Sequence, residues 1–298
     1  MARVLVTGAA GFVGRAVVKR LRAAGHEVRG SDLAGGAEVA AVDLRDRAAV
    51  AAWVDEAPVD LTIHAGAVSG PMAVGADLAG TFDVNLGGSV NLLAALRGGR
   101  LVHISSNAVY LGPGAPDGLA ETAPVGSDEP YGASKVAAEA AVAAWVGAAG
   151  LSAVVLRASS VYGPGRRTAH LMRRLSHAAA TGAVADVSGP EGNLRQFLHV
   201  EDLTAAIELA AGLVLAMPPG RLETFNIAGD EWVAESRIAD LAESHLPGLR
   251  VRRTPPPRRP DEGPGGRLDC RRAADRLGWR PRIALEDGLA SLFSAERS

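Results

Sequence analysis

Arg3-Val4-Leu5-Val6-Thr7-Gly8-Ala9-Ala10-Gly11-Phe12-Val13-Gly14 lies at the start of the chain, and its reading decides the fold. Arg3–Thr7 is a β-branched run of strand length, after which Val13, Val17 and Leu21 recur on one helix face. A strand that passes through a glycine-rich turn into a helix is the phosphate-binding unit of a dinucleotide fold. Gly8 and Gly11 allow a tight turn and close backbone approach to a pyrophosphate, and Gly14 allows the helix to sit close to the strand. The helix start at Phe12 and Val13 offers free N–H groups and a positive dipole end to the phosphates.

Asp32 closes the second strand about 20 residues after this turn, where an acid accepts hydrogen bonds from the adenosine ribose. It would repel a 2′-phosphate, and Leu33-Ala34-Gly35-Gly36 supplies no arginine to offset that repulsion. The expected cofactor is therefore NAD rather than NADP.

Working outward, short apolar runs alternate with helical periods. Strands are expected at His26–Ser31, Val39–Val42, Leu61–His64, Leu101–Ser105 and Val154–Leu156. Helices are expected at Ala48–Val54, around Asp83–Leu96, and over Tyr131–Val146, the last opened by Pro130. Repeated βα units with apolar strands imply an α/β fold, a doubly wound parallel sheet of Rossmann type. After Arg157 the pattern loosens into a helix over Thr168–Thr181, a strand at Phe197–Val200, a helix at Leu203–Leu215 and a strand at Phe225–Ile227. The expected organisation is a dinucleotide-binding domain over 1–157 and a smaller, mixed substrate lobe over 158–298, with segments around 197–228 returning to the first. Thr254–Arg267, rich in Pro, Gly and Arg, reads as a loop.

The 298 residues are ample for a large core, and 48% hydrophobic with 21% charged is a globular composition. Thirty-one basic residues against 33 acidic ones leave a net charge of −2, with a pI near 6.4. That balance argues against nucleic acid or an anionic membrane as a main partner. The single cysteine, Cys270, can form neither an internal disulfide nor a zinc site by itself, so no metal is expected. No apolar run approaches bilayer-spanning length. The expected setting is a soluble protein of the reducing cytoplasm.

Tyr131-Gly132-Ala133-Ser134-Lys135 places a phenol and an ammonium at i and i+4 of one helix. A free tyrosine, with a pKa of about 10, is a poor base at neutral pH. A cation about 4 Å away at an effective dielectric of about 20 is worth about 4 kcal/mol. That could lower the phenol by roughly two to three units before desolvation pushes back. Tyr131 can then take a proton from a substrate hydroxyl as hydride leaves the same carbon. Ser105-Ser106-Asn107-Ala108-Val109-Tyr110 ends a strand whose carboxyl end faces the ligand crevice of such a sheet. Ser106 is the hydroxyl expected to orient the reacting oxygen, with Ser105 a core hydroxyl.

The glycine turn, Asp32, Asp43-Leu44, Asn85, the SSNAVY segment, YGASK and Arg195-Gln196-Phe197-Leu198-His199-Val200-Glu201-Asp202 together resemble an extended short-chain dehydrogenase/reductase. The resemblance is strongest to the NAD-dependent epimerase/dehydratase family, which includes the UDP-glucose 4-epimerases. It runs from Met1 to about Ala290. It implies Ser106, Tyr131 and Lys135 as catalytic residues, with Tyr131 and Lys135 also at the cofactor. It implies Asp43 and Leu44 beside the adenine, and Ala65, Gly66 and Ala67 beneath the cofactor phosphates and ribose. Asn85 matches the asparagine of the family's Asn-x-x-Gly-Thr segment, although Ser89 follows Gly88 here. His64 is expected to be structural, and Trp53, Trp145, Trp232 and Trp279 to be packing groups.

On the substrate side the resemblance implies Arg195 and Arg259 as phosphate contacts, with Ser106, Asn107 and Ser160 near the sugar. Several departures stand out. Ser160 replaces an asparagine, Ser188 replaces an aromatic near the nucleotide base, and Asp261-Glu262 replaces Gly-Asp. Asn107-Ala108 stands where the sugar-nucleotide dehydratases carry Asp-Glu, which disfavours dehydration. The expected activity is an NAD-dependent epimerase or oxidoreductase acting on a secondary hydroxyl of a sugar or nucleotide sugar. The alternative is a net dehydrogenase of a free sugar, sugar acid or small polyol. A protein that only senses the dinucleotide would need neither Tyr131 nor Lys135, and both are present. A homodimer is expected through the Ala-, Leu- and Val-rich helices around 83–96 and 131–146.

Overall fold

The computed structural model describes residues 1–69, 77–111, 118–168, 170–189, 194–255 and 266–297. Seven strands form one sheet: Arg3–Thr7 (β1), Glu27–Asp32 (β2), Val39–Ala41 (β3), Leu61–His64 (β4), Arg100–Ser106 (β5), Ser152–Ala158 (β6) and Leu222–Ile227 (β10). Their order is β10-β6-β5-β4-β1-β2-β3, and every neighbouring pair is parallel. The order reverses beside β1, between β4 and β2, which opens a crevice at the carboxyl ends of these strands.

Alternation along β1 explains how both faces are covered. Val4 and Val6 join a core with Val17 and Leu21 of Phe12–Ala23 (α1) and with Leu203, Ile207 and Val214 of Val200–Ala216 (α6). Leu5 points the other way and packs with Val50 and Trp53 of Arg47–Asp55 (α2) and with Leu92. Leu92 belongs to α3, a continuous helix made of Leu78–Phe82, a π-helical turn over Asp83–Gly87, and Gly88–Leu96. Beside it runs Pro130–Ala149 (α4), with Pro130 at its first position and Gly150 in the left-handed conformation at its end.

The remaining elements build a smaller lobe. Ser160–Tyr162 (β7), Arg195–His199 (β9) and Trp232–Val233 (β11) form a three-stranded sheet, and Val184–Ser188 (β8) pairs with Arg250–Thr254 (β12). Leu171–Thr181 (α5), Glu235–His245 (α7) and Leu285–Arg297 (α8) cover them around Leu175, Ile238, Leu289 and Phe293.

The boundaries differ from the sequence expectation in informative places. The helix expected from Thr168 begins at Leu171, and the strand expected over Phe197–Val200 is Arg195–His199, with Val200 already helical. Strands β7, β8, β11 and β12 and helix α7 were not legible. β12 reads RVRRT with both faces largely polar, and its strand state comes from pairing with β8. Trp53 and Trp279 are buried packing groups, and the Trp279 Nε1 donates to the Asp202 carbonyl at 3.0 Å. Among the described residues no helix is long and apolar enough to cross a membrane, and no cluster of His, Cys, Asp or Glu could hold a metal ion.

Candidate functional site

The glycine-rich turn meets the end of β4 backbone to backbone. Gly8 has φ +69°, and a Cβ on it would stand 2.7 Å from Gly66 Cα. A Cβ on Gly14 would stand 1.9 Å from the Gly8 carbonyl oxygen, so α1 can start where it does only with glycine at position 14. Gly11 is the N-cap of α1 and makes no side-chain cap, which leaves the first-turn N–H groups around Phe12 and Val13 without that partner. Asp32 Oδ2 accepts from the Ala10 N–H at 3.1 Å and so braces the turn. These features fit a dinucleotide pyrophosphate: a cradle that any Cβ would fill, at a helix N-terminus, beside an acid.

Around this cradle, Leu44 packs over Gly66, where an added Cβ would come 2.8 Å from Leu44 Cδ1. The Asp43 carboxylate takes the Arg45 guanidinium at 2.7 Å, and these hydrogen bonds hold its carboxyl below the usual range. Ala65, Gly66 and Ala67 are half-buried at the carboxyl end of β4.

A one-way chain of hydrogen bonds fixes this segment from below. The Gly66 N–H donates to Thr7 Oγ1 at 3.1 Å, and Thr7 Oγ1 lies 2.7 Å from His64 Nδ1. His64 Nε2 lies 2.9 Å from Ser89 Oγ, which donates to the Asn85 carbonyl at 2.6 Å. Since Ser89 spends its proton on Asn85, His64 must donate from Nε2 and accept at Nδ1 from Thr7. Burial, reinforced by the Lys135 charge, pushes His64 down to about 3, so it is neutral at physiological pH. Asn85 sits on the π-helical turn, a distortion that often marks functional positions. Its Oδ1 accepts from the Val68 N–H at 2.8 Å, while Nδ2 donates to the Val68 carbonyl at 3.1 Å and to Ser134 Oγ at 2.9 Å. Both amide hydrogens are thus engaged within the protein.

The catalytic candidates come from β5 and α4. Ser106 ends β5, and its Oγ accepts from the Ala108 N–H at 3.2 Å and lies 3.4 Å from Asn107 Oδ1. Gly132 explains how the turn after Ser106 meets the helix that carries Tyr131. A Cβ there would stand 2.4 Å from the Ala108 carbonyl and 2.2 Å from Ser127 Oγ, so the first turn of α4 lies directly on the 107–109 turn. Tyr131 is buried at 8% exposure, and Lys135, one turn on, is buried at 4%. The Lys135 Nζ donates to the Ile104 carbonyl of β5 at 2.6 Å. Burial pushes this ammonium down to about 8, against a smaller opposing pull from Glu139. Ser105 donates to Glu139 at 2.5 Å, and Glu139 pairs with Arg157 at 2.7 Å. Ser105 is therefore a satisfied core hydroxyl.

Comparison with known proteins places this geometry. The family model described as NAD dependent epimerase/dehydratase family matches residues 4–228. The chain belongs to the NAD-dependent epimerase/dehydratase family. It is 30% identical to the UDP-glucose 4-epimerase of Mycolicibacterium smegmatis, over 97% of this chain and 96% of that one. The UDP-glucose 4-epimerase of Thermus thermophilus, solved in complex with NAD, superposes with a TM-score of 0.85 at 28% identity and 99% coverage of both chains. MoeE5 in complex with UDP-glucose and NAD gives a TM-score of 0.85 at 29% identity, covering 99% of this chain and 98% of that one. The resemblance to the extended short-chain dehydrogenase/reductases read from the motifs is borne out, as is the Rossmann-type α/β fold.

Of the residues expected on the substrate side, Ser160 and Arg195 fall on the smaller lobe, while Asn107 stays with the main sheet. Ser160 on β7 and Arg195 on β9 are both half-buried on neighbouring strands, with Ser160 paired to Phe197. Asn107 is half-buried in the turn after Ser106. Arg259 lies outside the described residues. Three residues were not singled out from the sequence. Arg15 donates to the carbonyls of Ala10, at 3.1 Å, and Gly165, at 3.0 Å, tying the glycine turn to the loop after β7. Arg166 lies next on that loop. His170, the N-cap of α5, is buried with its Nδ1 unpaired, and burial together with Arg166, Arg173 and Arg174 pushes it down to about 4. The signal for these was in the sequence: two arginine pairs flank His170, the second at a helix N-terminus whose dipole disfavours cations.

Proposed function

We propose that this chain is an NAD-dependent epimerase or oxidoreductase acting on a secondary hydroxyl of a nucleotide sugar, with Tyr131 as the base. The observation that carries the reading is the seating of Gly132 on the Ala108 carbonyl, which brings the Tyr131–Lys135 helix onto the turn after Ser106. Gly8, Gly11 and Gly14 with the start of α1 would hold the pyrophosphate, and the second oxygen of Asp32 would take the adenosine ribose. Leu44 and Asp43 would flank the adenine. The segment Ala65–Ala67 would run beneath the cofactor, with Asn85 fixing its position through Val68. NAD, when bound, would supply the hydride chemistry: it would accept a hydride from the substrate carbon and, for epimerisation, return it to the opposite face of that carbon.

The chain's own residues handle the proton. Ser106 would hold the reacting oxygen by a hydrogen bond and orient it toward Tyr131. Tyr131 would accept the hydroxyl proton, and the Lys135 ammonium would stabilise the phenolate that makes this possible. For epimerisation, Tyr131 returns the proton to the same oxygen once the opposite face of the sugar carbon has been presented. Asn107-Ala108 supplies neither the acid nor the base that elimination of water would need.

The nucleotide-sugar assignment is supported by Arg195 on β9 and by the arginines around the α5 N-terminus, a setting suited to a diphosphate. Ser160 and Ser188, in place of the family's asparagine and aromatic, favour as second reading a dehydrogenase of a free sugar or sugar acid. Calorimetric titration with UDP and dTDP distinguishes the two, because absence of binding at millimolar nucleotide would discard the nucleotide-sugar reading. Cofactor retained through purification would favour the epimerase. Helices α3 and α4, side by side on one face of the sheet, are the proposed homodimer contact. Light scattering at micromolar concentration should give twice the chain mass.

A further inference from the structure

Ser106 lies between two residues that are held by a single ion pair. The residue before it, Ser105, donates from Oγ to Glu139 Oε1 at 2.5 Å. Tyr110, which closes the turn after it, takes a hydrogen bond from Arg157 Nη1 at 2.9 Å. Arg157 and Glu139 meet as two forks, with Nη2 2.7 Å from Oε2 and Nε 3.1 Å from Oε1. The pair therefore grips the segment from Ser105 to Tyr110 at both ends, with Ser106 inside it.

Each member of this clamp comes from a different element. Tyr131, Lys135 and Glu139 recur at every fourth position of α4 and so share one face of it. Lys135 donates to the Ile104 carbonyl and Glu139 takes Ser105, which ties two successive helix turns to two successive residues of β5. Arg157 comes from β6, where it is paired with Ser105 across the sheet. Tyr110 Oη donates onward to Asn226 Oδ1 of β10 at 2.6 Å. Burial raises that phenol above its ordinary value, so it keeps the proton for this bond.

Two observations separate the pair from ordinary bracing. Its side chains are 7% and 12% exposed, whereas every other ion pair between described residues includes a side chain more than a third exposed. A buried pair returns little net stability, because desolvating both charges offsets their attraction. What it can do is select one arrangement, since any other leaves a charge buried alone. The second observation is what lies inside the grip. Among the described residues, Ser106 Oγ contacts the Ala108 N–H and Asn107 Oδ1, both within its own turn. Its place relative to α4 is therefore set by the seat of Gly132 and by the residues that flank it.

We propose that the Arg157–Glu139 pair is a positioning device that sets Ser106 against Tyr131, acting through Ser105 on one side and Tyr110 on the other. This rests on the roles proposed above for Ser106 and Tyr131.

Hydrogen exchange of the ligand-free protein, resolved to single amides by NMR, tests the clamp without any substrate. The variants are Ser105→Ala, Tyr110→Phe and Arg157→Lys, the last keeping the charge but not the fork that spans Glu139 and Tyr110. Each should speed exchange of the Ala108 and Tyr110 amides, which are bonded within the turn to Ser106 Oγ and the Asn107 carbonyl. The expected factor is about 3- to 100-fold, the span from a neutral to a charge-assisted hydrogen bond. The amides of β5 and of α4 beyond its first turn should stay as protected as in the parent. Tyr110→Phe added to Arg157→Lys should contribute much less than it does alone, because the same grip is already lost. Unchanged exchange at these two amides in Tyr110→Phe or in a folded Arg157→Lys overturns the inference. So does faster exchange spread evenly over β5 and α4, since the pair would then only brace the fold. Should Arg157→Lys not fold, Tyr110→Phe and Ser105→Ala, which each remove one hydroxyl, decide alone.

Turnover of UDP-glucose with NAD gives the second readout. In the folded variants kcat should fall about 10- to 100-fold with KM and NAD affinity nearly unchanged, as misplaced reacting groups require. In a Ser106→Ala background the same substitutions should cost nothing further, and an undiminished loss there overturns the inference. A parent inactive on UDP-glucose would refute that substrate, and a Ser106→Ala variant as active as the parent would refute the role of Ser106. In both cases the exchange result still decides whether the pair holds the turn.

Discussion

Asn85 Nδ2 donates to Ser134 Oγ across 2.9 Å, and Ser134 Oγ in turn donates to the Tyr131 carbonyl at 2.7 Å. The same Asn85 amide exchanges two hydrogen bonds with the backbone of Val68. One side chain therefore fastens the segment after β4 to the first turn of α4. The π-helical turn over Asp83–Gly87 makes this possible, because its extra residue turns Asn85 into the interior at 2% exposure. The segment after β4 and the helix that carries Tyr131 are thus held as one piece, which would serve the proposed proton transfer to an oriented hydroxyl.

Asn85→Ala should therefore reduce both stability and turnover. It leaves the buried partners at Val68 and Ser134 unsatisfied, at about 1–3 kcal/mol for each group not reached by water. A lowered melting temperature and weaker NAD binding, measured by calorimetry, are the expected outcomes. An unchanged melting temperature would mean that water replaces the amide without loss.

Tyr131→Phe should abolish turnover and leave NAD affinity nearly intact, since the ring still packs and only the proton-accepting oxygen is gone. General acid–base catalysis is worth about 10²–10⁴-fold, so residual activity above about a tenth of the parent would remove Tyr131 from the mechanism. Steady-state kinetics with parallel cofactor titration separates the two effects.

Lys135 gives a pH prediction with a definite sign. Burial pushes its ammonium down to about 8, against about 10.4 in an unfolded chain. Below about 8 it is charged in both states and its burial opposes folding. As pH rises from 8 toward 10.4 the folded form sheds its proton first, and that penalty fades. Activity that depends on the cation should accordingly decline as pH rises through about 8. Lys135→Met should be inactive yet more resistant to urea at pH 7, less the lost bond to Ile104. That gain should shrink above pH 8. A gain that grew with pH would contradict the assignment.

Cofactor choice is expected to follow Asp32. Replacing it by Ser and introducing Leu33→Arg should shift preference from NAD toward NADP. Leu33 is 65% exposed, so an arginine fits there without repacking. The loss of the Ala10 contact should cost about 1 kcal/mol of stability. Equal use of both cofactors by the unaltered protein, in initial-rate assays, would refute the charge argument.

The order of βα units, the glycine turn, Asp32 and the Tyr131–Lys135 pair were legible in the sequence because each is local. Strand and helix periods and a turn that only glycine can make are set by residues within a few positions of one another. The smaller lobe was less legible for the same reason. β8 and β12 lie more than 60 residues apart, and neither looks like a strand until the other is beside it.

The sequence by itself determined the parallel α/β architecture, the glycine turn and the identity of the phenol and ammonium. Only the tertiary structure decided what surrounds them. It set Gly132 against Ala108, spent both hydrogens of the Asn85 amide inside the protein, fixed the tautomer of His64, and tied Arg15 to the loop after β7. Each of these joins residues far apart in the chain. The physical reason is that burial, hydrogen-bond satisfaction and unpaired charge are properties of a packed neighbourhood, and that neighbourhood exists only once the sheet has closed around it.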